Sequence, residues 1–184
     1  MRRAAAAALL ATASSGVLAA GAFSPAPGSP VLFPETVACA PALEAEELAV
    51  LSAPFLERTL QFVSGCDAGA VTLAALVPPG APLFTASLER GRVTEEKRIP
   101  APLPPIRNFL GDFLLAKLPA SAWAGRLPRG WTLADEGRER VLRDAEGGEV
   151  ERIGYESAPS DPAGVLWLQN RAWGYRVTVR RLSE

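Results

Sequence analysis

The side chains able to do chemistry in this 184-residue chain are nearly all carboxylates. Histidine is absent, which removes Ser/His and Cys/His catalysis, imidazole acid/base work and ordinary His-based zinc sites. Paired acids stand at Glu95-Glu96, Asp135-Glu136 and Glu149 with Glu151. All three lie in turn-like or charge-rich stretches and read as solvated faces. Asp112 differs because it sits inside an apolar helical pattern. It reads as structural, capping or pairing with nearby backbone or an arginine, with a two-carboxylate hydrolase built around it as an alternative. Gly65 to Gly69 and Gly147-Gly148 carry no phosphate-binding fingerprint. No metal and no cofactor is expected, and the chain is expected not to be an enzyme.

The other reactive residues are Cys39 and Cys66. Met1-Arg2-Arg3 followed by the uncharged Ala4 to Ala20 run and Ala20-Gly21-Ala22 reads as a signal peptide over residues 1–22, implying export to the periplasm. In that oxidising compartment a disulfide between the two cysteines is expected. The alternative, lipidation of Cys39, lacks the preceding apolar segment: Pro34 and Glu35 stand there instead. With 19 basic and 20 acidic residues the formal charge is −1, so no general field draws nucleic acid or anionic lipid, and nucleic acid is not an expected partner.

These residues must be positioned by elements that the hydropathy pattern outlines. Residues 23–41, rich in Pro, Gly and Ser, read as an extended linker, and residues 42–184 as a single domain. Ala42 to Leu51 reads as a short helix stopped by Pro54. From Phe55 the period becomes two: Leu60 and Phe62, then Val71, Leu73 and Ala75, then Phe84, Ala86 and Leu88 alternate with more polar neighbours, separated by turns. Ile106, Phe109, Leu110, Phe113 and Leu114 form a helical stripe behind Pro105, with Arg107, Asn108, Asp112 and Lys117 largely off it. Five strand patterns follow, over 131–134, 140–143, 149–155, 165–169 and 173–180, the last with Trp173, Tyr175, Val177 and Val179 facing one way. Strands, one amphipathic helix, then strands predict an α+β fold: a curved antiparallel sheet, an incomplete barrel, covered by the central helix.

Four stretches carry a family resemblance: "LAALVPPGAPLFTASLERGRV" (Leu73 to Val93), "LPPIRNFLGDFLLAKLP" (Leu103 to Pro119), "LPRGWTLADEGRERVLRD" (Leu127 to Asp144) and "WGYRVTV" (Trp173 to Val179). With them the block from Phe55 to Glu184 resembles LolB-like periplasmic proteins, nearest the small lipoproteins encoded among aryl polyene, or xanthomonadin-type pigment, genes. The resemblance implies a LolA/LolB-like open barrel around a hydrophobic cavity that accepts acyl chains. It also implies a projecting loop that meets the membrane, here Leu76, Val77, Pro79, Leu83 and Phe84. The family's Pro, Leu, Gly at that tip stands here as Pro78, Pro79, Gly80. No lipobox cysteine occurs at Val17 to Ala22, so the chain looks more like a mobile carrier than an anchored receptor.

The expected cavity walls are Leu60, Phe62, Val71, Leu73, Trp167, Trp173 and Tyr175 from the sheet and Phe109, Phe113 and Leu114 from the helix. A bound acyl chain would gain about 0.8 kcal/mol per buried methylene. The reading is therefore a monomeric, non-enzymatic periplasmic carrier or chaperone for a lipidic molecule, a lipoprotein acyl chain or an aryl-polyene-like lipid. It would make transient contact with the inner leaflet of the outer membrane and with a partner carrier protein. The rival classes are a ligand-free structural subunit of an envelope complex and the carboxylate hydrolase.

Overall fold

The chain's strands are ordered so that its end returns to its beginning. The computed structural model describes residues 21–54, 56–99 and 103–181; residues 1–20 of the proposed leader 1–22, Phe55, 100–102 and 182–184 lie outside them. Strands β3 (Ala45–Ala53), β4 (Leu56–Asp67), β5 (Ala70–Val77), β6 (Ala81–Glu89) and β7 (Arg92–Lys97) form an antiparallel meander. The helix α1 (Ile106–Lys117) follows, and a second meander runs through β8 (Thr132–Glu136), β9 (Glu139–Arg143), β10 (Glu149–Tyr155), β11 (Val165–Asn170) and β12 (Tyr175–Arg181). The last strand pairs with the first of the meander, Val177 opposite Leu51 and Val179 opposite Ala49. The two halves thus fuse into one ten-stranded sheet with β7 and β8 at its ends. The sheet is not closed into a barrel, and its antiparallel ladder with one helix on a face agrees with the curved sheet and covering helix expected.

Residues 23–41 are not an extended linker. β1 (Ala22–Ala26) and β2 (Ser29–Leu32) make a separate two-stranded hairpin, turned at Gly28 with φ of 73°. Three short 3-10 turns, η1 (Pro41–Leu43), η2 (Ala120–Trp123) and η3 (Pro162–Gly164), complete the chain. Composition pointed to a linker because Pro and Gly are frequent, but Phe23, Val31 and Phe33 bury completely or nearly so. Phe23 packs 5.0 Å from Phe33 and 5.9 Å from Trp123, ring centre to ring centre. A Cβ on Gly111 would come within 2.2 Å of the Phe23 ring, so the absent side chain is what lets β1 lie against α1.

Asn108 locks the contact. Its Oδ1 accepts from the Ser24 N–H at 3.1 Å and its Nδ2 donates to the Ser24 carbonyl at 2.9 Å. The helix is therefore covered on two sides, by the sheet and by the hairpin. That is why Asn108, Asp112 and Lys117, expected off the apolar stripe, are buried. The C-terminal end of α1 is held by Arg140, whose guanidinium donates to the carbonyls of Leu115, at 2.7 Å, and Leu118, satisfying acceptors that a helix end leaves open.

Residues 45–53 are strand, not helix. Ala, Glu and Leu favour helix weakly, but Glu47, Ala49 and Leu51 alternate inward, and their backbone pairs with both β4 and β12. Pairing on both edges outweighs the intrinsic preference.

Candidate functional site

Beneath α1 lies a crevice whose far wall comes from β3, β4, β5, β11 and β12. Helical positions Phe109, Asp112, Phe113, Ala116 and Lys117 line it from one side, and Glu47, Phe62, Leu73, Leu168, Val177 and Val179 are among the strand residues opposite. Its interior holds about 60 Å³. The expected roomy concavity is absent because the facing aromatics meet: Phe62, Phe84, Phe109 and Tyr175 form a chain of ring contacts between 5.4 and 6.4 Å.

Of the expected wall residues, Phe62, Leu73, Phe109 and Phe113 line this space. Leu60, Val71 and Leu114 are fully buried core behind it. Tyr175 is buried and turns its hydroxyl to Asp112, donating a hydrogen bond to Oδ2. Two expected wall residues are elsewhere. Trp167 alternates with Leu168, so it lies on the other face of the sheet, over Gly154 and 4.7 Å from the Arg176 guanidinium. Trp173 precedes β12 in a turn at Gly174, φ 70°, and its indole donates to the Ser24 carbonyl at 2.8 Å.

The residues that sequence reading missed are Glu47, Ala116, Lys117, Val165, Leu168, Val177 and Val179. Lys117 was within reach of the pattern, since 109, 113 and 117 are four apart and share a helical face. Glu47 was hidden by the helical reading of its segment.

Most polar groups of the crevice are paired, whereas Asp112 Oδ1 and, behind it, Glu151 Oε1 are buried without a hydrogen-bond partner. Lys117 Nζ lies 2.7 Å from Glu47 Oε1, the two side chains 2% and 8% exposed, and 5.9 Å from the Phe113 ring centre. Burial pushes the Asp112 carboxyl up to about 7, against the pull of hydrogen bonds from Tyr175 and Glu151. Glu151, expected on a solvated face, is 1% exposed. Burial raises its carboxyl well above the usual range, and the neighbouring Asp112 charge raises it further. Asn170 Nδ2 donates to Glu151 Oε2 at 3.3 Å and to the Pro25 carbonyl at 3.0 Å. Burial and mutual repulsion both oppose ionising the two carboxyls together. Glu149, by contrast, is held down at about 2 by Arg152.

Cys39 and Cys66 are joined, their Cα atoms 5.4 Å apart, which leaves no thiol at Cys39 for lipidation. The bridge ties the segment before η1 to the end of β4. In the loop between β5 and β6, Pro79 is exposed and Leu76 and Val77 are half-buried. Leu83 and Phe84 are not membrane-facing: both are fully buried. The register slips between Ala75, opposite Phe84, and Leu76, opposite Pro82, so a bulge at Leu83 directs two successive side chains inward.

Among the described residues no group of three or more His, Cys, Asp or Glu could hold a metal ion, and no helix is long and apolar enough to cross a membrane. A family model described as "Protein of unknown function (DUF3261)" matches residues 46–183. No curated protein and no solved structure matches.

Proposed function

We propose that this chain, which belongs to the DUF3261 family, is a non-enzymatic periplasmic carrier that holds the hydrocarbon part of a lipidic molecule on its way to the outer membrane. The observation that supports this reading is the crevice under α1. Its walls are aromatic and aliphatic, and its three polar side chains are Glu47 and Lys117, paired with each other, and Asp112, bonded to Tyr175. Such a surface offers a charged substrate nothing and a hydrocarbon a great deal. The likeness to LolA/LolB carriers, a bent sheet over a helix with an acyl chain between, belongs to the same proposal. Export is supported by the leader-like residues 1–22 and by the Cys39–Cys66 bridge.

The closed crevice sets a condition. Its 60 Å³ is below half of the about 150 Å³ that accommodates benzene. A chain enters the interior only if Phe62, Phe109 and Phe113 separate, which makes ligand uptake a conformational step between α1 and the sheet.

The rivals have weaker support. Asp112 and Glu151 are 4% and 1% exposed, which shields them from the water that a two-carboxylate hydrolase must deliver. A structural subunit would use the free edges β7 and β8, but these carry Arg92, Glu95, Glu96, Lys97, Asp135 and Glu136, charges that discourage strand addition.

Mass spectrometry of organic extracts from the purified protein tests the proposal. A stoichiometric lipid is expected; its absence, together with failure to bind any added acyl probe, overturns the reading.

A further inference from the structure

A second apolar space lies outside the crevice, between residues 36–43 and the C-terminal end of α1 with η2. Val37, Ala40, Leu43, Leu118, Pro119 and Ala122 line this groove, whose volume is about 470 Å³. Lys117 lines both spaces. Elsewhere on the molecule, clefts of similar volume are bordered by charged residues: Glu35, Arg90 and Arg126 in one, Arg171 and Arg176 in another. Here Lys117 supplies the single charged side chain of the lining, and that charge is turned to Glu47.

We infer that this groove seats the hydrocarbon chain of a single-chain amphiphile, and that the Glu47–Lys117 pair closes its inner end and sets how long a chain is accepted. The inference rests on the lipid-carrier reading. Three features of the groove favour this occupant.

The first is size. A volume of 470 Å³ falls in the range of about 300–1,000 Å³ for small-molecule sites, and is roughly three benzene cavities, on the order of eighteen carbons. The crevice alone holds far less. The second is relief. Ala38, Ala40, Ala42 and Ala122 leave a trough that larger side chains would fill, and the Cys39–Cys66 bridge fixes the wall bearing three of them. The third is continuity. The groove meets the crevice at Lys117, so a chain advancing inward encounters a buried ion pair. A methyl terminus gains nothing by displacing either charge, because each would be left buried and unpaired. The polar head stays at the outer end, in water.

Saturated fatty acids of about eight to about eighteen carbons, competing with a fluorescent fatty-acid analogue on the full-length protein, provide the test. Affinity is expected to rise by about fourfold per methylene and then level off at the length the groove holds. Replacing the pair with apolar residues, Glu47→Leu with Lys117→Met, should move that plateau to longer chains. Filling the groove with Ala122→Trp should weaken every chain at least about tenfold, and Ala40→Trp, on the opposite wall, should do the same if the first variant folds poorly. Fatty-acid binding that ignores all three changes overturns this inference and leaves the carrier reading standing. No binding to the unmodified protein and no lipid in its extracts sinks both. A dimer that Ala122→Trp dissociates would mean that a second copy covers the groove, overturning the inference as well.

Discussion

Lys117 Nζ sits 2.7 Å from Glu47 Oε1 at the boundary between crevice and groove, joining the last turn of α1 to β3. Removing one partner leaves a buried, unpaired charge. Glu47→Leu or Lys117→Met alone should each cost about 3–5 kcal/mol, and the two together far less than the sum. Urea unfolding of the three variants measures this; additive losses would contradict a pair isolated from solvent.

Asn108 carries the hairpin. Asn108→Leu removes both bonds to Ser24 and leaves that residue's buried N–H unmatched, while its carbonyl keeps the Trp173 indole, an expected loss of about 1–3 kcal/mol. Amide exchange should quicken in 22–32 before the rest of the chain unfolds. Gly111→Ala, which drives a methyl into Phe23, should detach the same element.

Stability should fall as pH rises from about 4 to about 7. Asp112 titrates from 3.8 in an unstructured chain to about 7 when folded, so over that interval the folded state binds more protons. Its contribution is full below the lower value and gone above the upper, with a slope of up to about 1.4 kcal/mol per pH unit. Glu149, held down at about 2, has the opposite sign and loses its contribution as pH falls from about 4.5. Urea midpoints should therefore peak in mild acid, and Glu151→Gln should flatten the descending limb. A midpoint that climbs steadily to pH 8 would rule the raised Asp112 carboxyl out.

Reducing the Cys39–Cys66 bridge, which spans 27 residues, should destabilise the protein by about 3–4 kcal/mol. Unfolding with and without dithiothreitol reads the difference.

Charge in the β5–β6 loop should separate the tip from its base. Leu83→Glu or Phe84→Glu buries a carboxylate in the core and should unfold the domain, whereas Pro78→Glu, at the exposed tip beside Pro79, should leave the melting temperature within about 1–2 °C. If Pro78→Glu also leaves liposome association unchanged, the exposed tip does not meet membrane.

Local order is what this sequence determined by itself. Period-two alternation placed β4 to β6 and β8 to β11, and the spacing of Ile106, Phe109, Leu110 and Phe113 placed α1, because one buried face repeats at the period of the backbone. Two cysteines behind a leader-like segment indicated a bridge. Only the tertiary structure decided what covers what. The hairpin β1–β2 turned a Pro- and Gly-rich stretch into a packing surface for the helix. Pairing on both edges made residues 45–53 a strand, and one bulge in β6 turned both Leu83 and Phe84 inward. Glu47, Lys117 and Glu151 look like surface charges in one dimension. Burial and partners far along the chain make them, with Asp112, a buried set, and a contact formed across 70 residues leaves no trace in local spacing.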